Sequence, residues 1–283
     1  MIAGPPSGLP MLAVLLVLGS ALVHASWNVL LARVPRGYDS TAVALAAGLV
    51  AWTPVALARW RVDRAAWPYL LLSAGFELAY FGALNLAYAK APAHAAYPVA
   101  RGLAPVLLLP VAVLAGGPVP ARAGLGVAAI SAGILLTAWG TADRRALGYA
   151  VPVAVCIAGY TFVDSRGLRY ADPGTYLWLA VAPVVVVLLA VRIAAGHGTA
   201  ALRARARPST LAVGLGVFGA YGLTLAALAR VAVAYVPAVA ALRETSILFV
   251  VGLSFRTAPR RPGPATAVGA VLVVIGGVAL AIG

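Results

Sequence analysis

The sequence is poor in acid. Its 283 residues hold 7 Asp and Glu against 21 Lys and Arg, and charged residues of both signs make up only 10% of the chain. A soluble domain draws roughly 25% of its residues from these types, so a mostly water-facing surface is excluded. Cysteine is almost absent. Cys156 stands alone, which rules out a disulfide framework and a thiolate metal cluster. The three histidines, His24, His94 and His197, lie in unrelated places, so no His–carboxylate ligand set and no nucleophile with its base is assembled by spacing. No metal, cofactor or enzymatic activity is expected. Met1 to Pro10 contain no Lys or Arg. The apolar run 9–31 therefore lacks the charged leader of a secretory signal, despite the small-residue pattern Val23-His24-Ala25, and is expected to stay as a first helix.

What fills the chain is apolar. Hydrophobic residues make up 63% and the mean hydropathy is +0.98, more than the core of a soluble chain this long encloses. An all-α polytopic membrane protein follows. The formal net charge of +14 would suggest nucleic acid in a soluble domain, but here the basic residues fall at the ends of apolar runs. There they serve topology and lipid headgroups, Arg203, Arg205 and Arg207 among them.

At about 20 residues per crossing, breaking the runs at charges, Pro and Gly predicts spans 9–31, 41–58, 67–89, 93–115 and 123–139, then 147–163, 175–195, 210–229, 231–253 and 265–282. These are ten transmembrane helices in two sets of five, divided at Asp143 into halves 1–142 and 143–283. Three places align between the halves. Ala25-Ser26-Trp27-Asn28 with Arg33 answers Ala158-Gly159-Tyr160-Thr161 with Arg166, Ala132-Gly133-Ile134 answers Gly276-Gly277-Val278, and Arg101 answers Arg243. Because five is odd, the second unit enters the bilayer in the opposite sense, giving two inverted repeats with an interface near the midplane. Counted over the connections, the positive-inside rule favours an external amino terminus.

A guanidinium keeps its charge near neutral pH, and a charge at bilayer depth costs about 3 kcal/mol on insertion scales. Arg101 and Arg243 therefore need a reason. The remaining intramembrane ionisable residues are His24, Glu77 and Glu244, with Asp164 and His94 nearer span ends. With His24 neutral, the two arginines and two glutamates sum to zero. That balance admits a structural reading, in which the arginines pair with Glu77 and Glu244, beside a functional one in which an arginine meets a solute. Helical spacing adds two polar-aromatic faces. Ser20, His24, Trp27 and Asn28 form one, and Glu77, Tyr80, Phe81, Asn85 and Tyr88 form the other. Two such faces predict a lined cavity. The fourth span carries Pro92, Pro98, Pro105 and Pro110, so a broken helix is expected around Arg101, which makes Arg101 the favoured arginine for a solute. Pro237 is expected to begin the ninth helix. Gly124, Gly126, Gly133, Gly269, Gly276 and Gly277 are expected to permit close helix packing, with a dimer face as one use.

His24-Ala25-Ser26-Trp27-Asn28, Tyr97-Pro98-Val99-Ala100-Arg101-Gly102-Leu103-Ala104-Pro105 and Leu242-Arg243-Glu244-Thr245-Ser246, with the glycine-rich fifth and tenth spans, resemble the EamA-type branch of the drug/metabolite transporter superfamily. The resemblance covers nearly the whole chain. It implies ten helices in two inverted repeats around a central cavity, and export of small organic solutes. It also implies cytoplasmic termini, against the charge count. The Gly-Glu pair usual after the family's fourth and ninth helices is replaced by Gly116-Gly117-Pro118 and Ser254-Phe255-Arg256. The expected function is a secondary transporter, an exporter, of a small amphipathic or zwitterionic metabolite such as an amino acid or related organic anion, in the cell membrane. The alternative is a flippase for a lipid-linked sugar or phosphate, with an intramembrane enzyme or a structural membrane protein behind. Expected substrate-binding residues are Arg101, Arg243, Glu77, His24, Trp27, Asn28, Tyr80, Asn85 and Glu244. Expected partners are a small solute and membrane lipids, no nucleic acid, with proton coupling and a homodimer as open options.

Overall fold

The computed structural model describes residues 8–31, 34–35, 37–91, 93–116, 118–139, 143–196, 198–249 and 263–282, with backbone alone for 93–95. Its helices are α1 Met11–Leu31, α2 Tyr38–Ala58, α3 Trp67–Lys90, α4 Ala93–Gly116, α5 Ala121–Thr137, α6 Arg144–Gly167, α7 Pro173–Ala194, a short α8 Thr199–Arg203, α9 Pro208–Leu228, α10 Val236–Arg243 and α11 Pro264–Ala281. Eight helices are long and apolar enough to cross a membrane, and α5 is a shorter apolar one. The chain is an all-α polytopic membrane protein. Leu31, Ala58, Trp67 and Ala93 are helix ends at the positions read from hydropathy.

Helix starts follow local chemistry. Pro173, Pro208, Pro237 and Pro264 sit in first turns, where a missing N–H leaves no bond unmade. Asp143 and Asp172 cap α6 and α7 by accepting from Ala146 N at 2.7 Å and Gly174 N at 2.8 Å.

The fourth and ninth spans differ from expectation in opposite ways. α4 runs unbroken through Pro98, Pro105 and Pro110, because neighbouring turns still carry the ladder past each proline. The ninth span, expected as 231–253, is the broken one. Its eight-residue α10 stops at Arg243, turns at Glu244 and Thr245, and becomes helical again at 246. Across the turn the bonds tighten to i+3 spacing, Glu244 N to Ala241 O and Ile247 N to Glu244 O, while Thr245 Oγ1 donates to Leu242 O at 2.7 Å. The stretch beyond 249, Ser254-Phe255-Arg256, Arg33, Pro92 and His197 lie outside the described residues.

Packing is by small residues, as in lipid it must be. α5 lies along α11 so closely that a Cβ on Gly126 would meet Leu280 and the Gly276 carbonyl, and one on Gly133 would meet Gly269 and Val273. These four glycines make their close contacts inside one chain. Gly124 has open space beside it, and Gly277 has only the Thr245 methyl nearby. α1 packs on α9 and α10, α2 on α7 and α9, α3 on α6 and α7, and α4 on α5, α6 and α10. Ser20 fastens α1 to α9 through Ala220 O at 2.7 Å and Thr224 Oγ1 at 2.8 Å.

Candidate functional site

Where these helices converge they leave a cavity of about 490 Å³. It runs from Ser20, Tyr160 and Tyr221 within the bundle to a mouth at Val34, Pro35 and Gly37 in the α1–α2 connection. No residue of the α2–α3 or α6–α7 connections lines it. Those two connections are joined to each other. Val62 and Ala171 form an antiparallel bridge, flanked by Asp63 N to Tyr170 O at 2.7 Å and Asp172 N to Arg61 O at 2.9 Å. Tyr69 stacks on Tyr170, with ring centroids 5.8 Å apart. The cavity is therefore open toward one end of the bundle and covered at the other.

Eight of the nine expected residues line this cavity: Arg101, Arg243, Glu77, His24, Trp27, Asn28, Tyr80 and Asn85. Glu244 does not. It lies behind the wall, 2% exposed, forming an ion pair with Arg101 Nε and accepting from Arg243 Nε at 3.4 Å. One carboxylate thus serves both guanidiniums. Glu77, proposed from sequence as a partner of the arginines, is placed elsewhere. It is buried, 4% exposed, and no ion pair joins it to either arginine among the described residues.

The two arginines are not equally occupied. Arg101 on α4 has Glu244, donates from Nη2 to His24 Nε2 at 3.1 Å, and has its guanidinium carbon 5.5 Å from the Tyr97 ring centre. Because arginine only donates, His24 Nε2 is the acceptor and the ring is neutral. The Tyr97 hydroxyl stands 3.0 Å from the same nitrogen. Arg243 has Glu244, but its Nη2 is buried with no partner. Trp27 Nε1 is likewise buried and unpartnered. Both residues line the cavity, as does Ser40, whose Oγ is also buried without a partner. Both arginines line the cavity, and Arg243 keeps an unused N–H.

The asparagine amides face their own helices. Asn28 Nδ2 donates to His24 O at 2.7 Å and Asn85 Nδ2 to Phe81 O at 2.8 Å. The ring of Tyr80 meets Phe81 and Tyr160 at centroid distances of 5.0 and 5.9 Å.

The residue that sequence reading undervalued is Asp164. It lies near the C-terminal end of α6, as its position in the span implied, yet it is 0% exposed. Ser73 Oγ and Tyr176 OH donate to its Oδ1 at 2.6 and 3.1 Å, and Tyr221 OH donates to Oδ2 at 2.5 Å. A signal was present: Tyr160 and Asp164 are four apart and share one face of α6. With Asp164 included, two buried guanidiniums face three buried carboxylates, and the charge count that balanced without it is one negative in excess. Among the described residues no group of three or more His, Cys, Asp and Glu is placed to hold a metal. The side chain of His94 lies outside the described residues.

No family model matches the chain, and no curated protein matches it. Solved structures do, 28 chains among them. One, described only as a crystal structure of a protein, is 17% identical and superposes with a TM-score of 0.71, covering 95% of this chain and 96% of its own. The likeness spans the whole bundle and shows a shared fold.

Proposed function

We propose that the chain is a secondary transporter of the EamA type, resident in the cell membrane, which exports a small amphipathic or zwitterionic metabolite with an anionic group. The observation that carries this reading is the cavity, open at one end, with unpartnered donors on Arg243 and Trp27 and a buried carboxylate on Glu77. A solute carboxylate or phosphate would take the two free N–H groups, the guanidinium in charge-assisted fashion. A cationic group, where the solute has one, would sit toward Glu77. Aromatic walls from Tyr80, Tyr97 and Tyr160 suit an apolar body.

Alternating access needs a scaffold that works in both directions. Its support is the packing, read as ten membrane helices with residues 1–142 and 143–283 as inverted halves, α6, α7, α9, α10 and α11 answering α1 to α5. Several contacts then have counterparts. α1 on α9 answers α6 on α3, α1 on α10 answers α6 on α4, and α2 on α9 answers α7 on α3, while α2–α7 and α5–α11 pair across the axis. Ion pairs obey the same exchange. Asp39 in the first turn of α2 meets Arg192 in the last turn of α7 at 2.6 Å, and Arg59 after α2 meets Asp172 before α7 at 3.8 Å.

A thermal-shift screen of metabolites on purified protein tests the reading, followed by movement of each stabilising compound across proteoliposomes. A transporter gives at least one compound that both stabilises and moves. If none in a broad set of amino acids and organic anions does either, the reading fails.

A further inference from the structure

The carboxylates of Glu77, Asp164 and Glu244 differ in what holds them. Glu244 takes both guanidiniums. Asp164, 0% exposed, takes three hydroxyls, from Ser73, Tyr176 and Tyr221, so its charge is met by neutral donors. Glu77 has no ion pair among the described residues. Of the two carboxylates without a cation, only Glu77 lines the cavity, and it is the one that a cationic group of a solute can reach.

Asp164 also decides what a neighbouring residue can offer that solute. A phenol has one proton, and Tyr221 gives its own to Asp164 Oδ2 at 2.5 Å. Ser73 and Tyr176, the other two donors, do not line the cavity, whereas Tyr221 does. Toward a solute Tyr221 therefore presents a ring and an oxygen that accepts, and no donor. Ser73 and Glu77 are four apart and share a face of α3. Glu77 thus stands one turn, about 6 Å along the axis, from a residue bonded to the same carboxylate as Tyr221.

Tyr80, three residues beyond Glu77, continues that face. Its ring meets Tyr160 at 5.9 Å between centroids and 81° between planes, and Tyr160 meets Tyr221 at 5.9 Å and 56°. All three tyrosines line the cavity. Together they make an aromatic wall, and ring faces attract an ammonium within about 6 Å. The unpartnered donors of the cavity come from other helices, Trp27 of α1, Ser40 of α2 and Arg243 of α10. Against them stand Glu77 and Tyr80 of α3, Tyr160 of α6 and Tyr221 of α9.

We propose that Glu77 and the rings of Tyr80, Tyr160 and Tyr221 form an ammonium subsite, with Asp164 as its positioning residue. By taking the Tyr221 proton, Asp164 leaves that hydroxyl able only to accept. The solute is then a zwitterion with a primary ammonium, whose N–H groups donate to Glu77 and the Tyr221 oxygen while its anionic end takes Arg243 and Trp27. A plain organic anion would leave the Glu77 carboxylate buried and unmatched. This narrows the solute class of the transport reading above and rests on that reading.

Matched trios test this on the full-length protein in detergent: an amino acid, its deaminated acid and its decarboxylated amine, over small, aliphatic and aromatic bodies. Leucine, isocaproate and isoamylamine are one trio, and thermal shift reads affinity. Wild type should bind the amino acid about 10- to 100-fold more tightly than the acid, the worth of one charge-assisted hydrogen bond. Glu77→Gln should abolish that ratio and weaken the amine by the same factor. Asp164→Asn should lower the ratio about 3- to 10-fold by returning the Tyr221 proton to the cavity, while affinity for the acid is kept or raised. A purely structural Asp164 would weaken both ligands alike. Tyr221→Phe leaves Asp164 with Ser73 and Tyr176, should lower the ratio equally, and decides the matter if Asp164→Asn does not fold. Ultraviolet Raman difference spectra of ligand-free wild type and Tyr221→Phe read the phenol itself, which should be a donor to a carboxylate. The proposal is overturned by acids that bind as tightly as their amino acids, by trios of which no member binds, by variants that weaken both ligands alike, or by a Tyr221 phenol that is not a donor. Amino acids that bind with the expected ratios yet do not move across proteoliposomes would sink the transport reading and leave the subsite.

Discussion

Arg101 is neutralised by Glu244, a residue of the opposite half of the chain, while Arg243, the residue beside that glutamate, keeps an unpartnered Nη2. The ion pair ties α4 to the turn after α10, and the same glutamate orients the second guanidinium toward the cavity. Breaking a buried pair on one side strands its partner, at a cost of about 3–5 kcal/mol. Glu244→Gln should therefore destabilise the protein by about that amount, and Arg101→Met by less, because Glu244 retains Arg243. Combining Arg101→Met with Glu244→Gln should recover part of the loss. Thermal denaturation in detergent, arranged as a double-mutant cycle, measures the coupling.

Arg243 should behave differently. Arg243→Gln removes the free donor while Glu244 keeps Arg101, so stability should fall less than in Glu244→Gln. Affinity for an anionic solute should fall about 10- to 100-fold, the equivalent of one charge-assisted hydrogen bond of about 1.5–3 kcal/mol. Titrating a compound found in the thermal-shift screen against both proteins compares the two. Equal affinity in wild type and variant would remove Arg243 from the solute site.

The α5–α11 seam separates tight glycines from loose ones. Gly133→Ala would drive a methyl into the Gly269 carbonyl, and backbone cannot step aside as a flexible side chain does. A loss of about 1–3 kcal/mol is expected. Gly124→Ala meets open space and should be neutral or gain about 0.5 kcal/mol through helix propensity. The melting temperature should fall in Gly133→Ala and should not fall in Gly124→Ala.

Val62 and Ala171 occupy the position in an antiparallel pair where side chains approach most closely, with Cα atoms about 4.5 Å apart. In a Cys156→Ser background, Val62→Cys with Ala171→Cys should oxidise to a disulfide within known geometric limits. The oxidised protein should still bind solute from the open end but stop transporting it, and a reductant should restore transport. Full transport in the oxidised form would show that this end never opens.

Helix positions were legible because apolar runs in a membrane have few alternatives: Leu31, Ala58, Trp67 and Ala93 are helix ends in both readings. The break after Arg243 was not. Residues 238–251 contain no Gly or Pro to announce a turn, and Glu244 at the turn reaches Arg101 on a helix distant in sequence. The prolines of α4 gave the opposite error, since an interrupted ladder need not interrupt a helix when its neighbours hold it straight. Around the cavity, spacing on α1 and α3 found the faces that line it. It left Asp164 at a helix end, because its burial is made by Tyr176 and Tyr221 from α7 and α9.

The bridge between Val62 and Ala171 lies beyond the ends of the apolar helices, where water is within reach. A backbone bond broken in hydrocarbon leaves groups worth several kcal/mol unsatisfied, but here each lost bond is exchanged for one to water, at a net cost of about 0.5–1.5 kcal/mol. Two such bonds amount to a barrier that thermal motion and a modest difference in solute affinity can overcome. The clasp at this end holds its register firmly while being inexpensive to release, and putting it outside the lipid is what allows both properties at once.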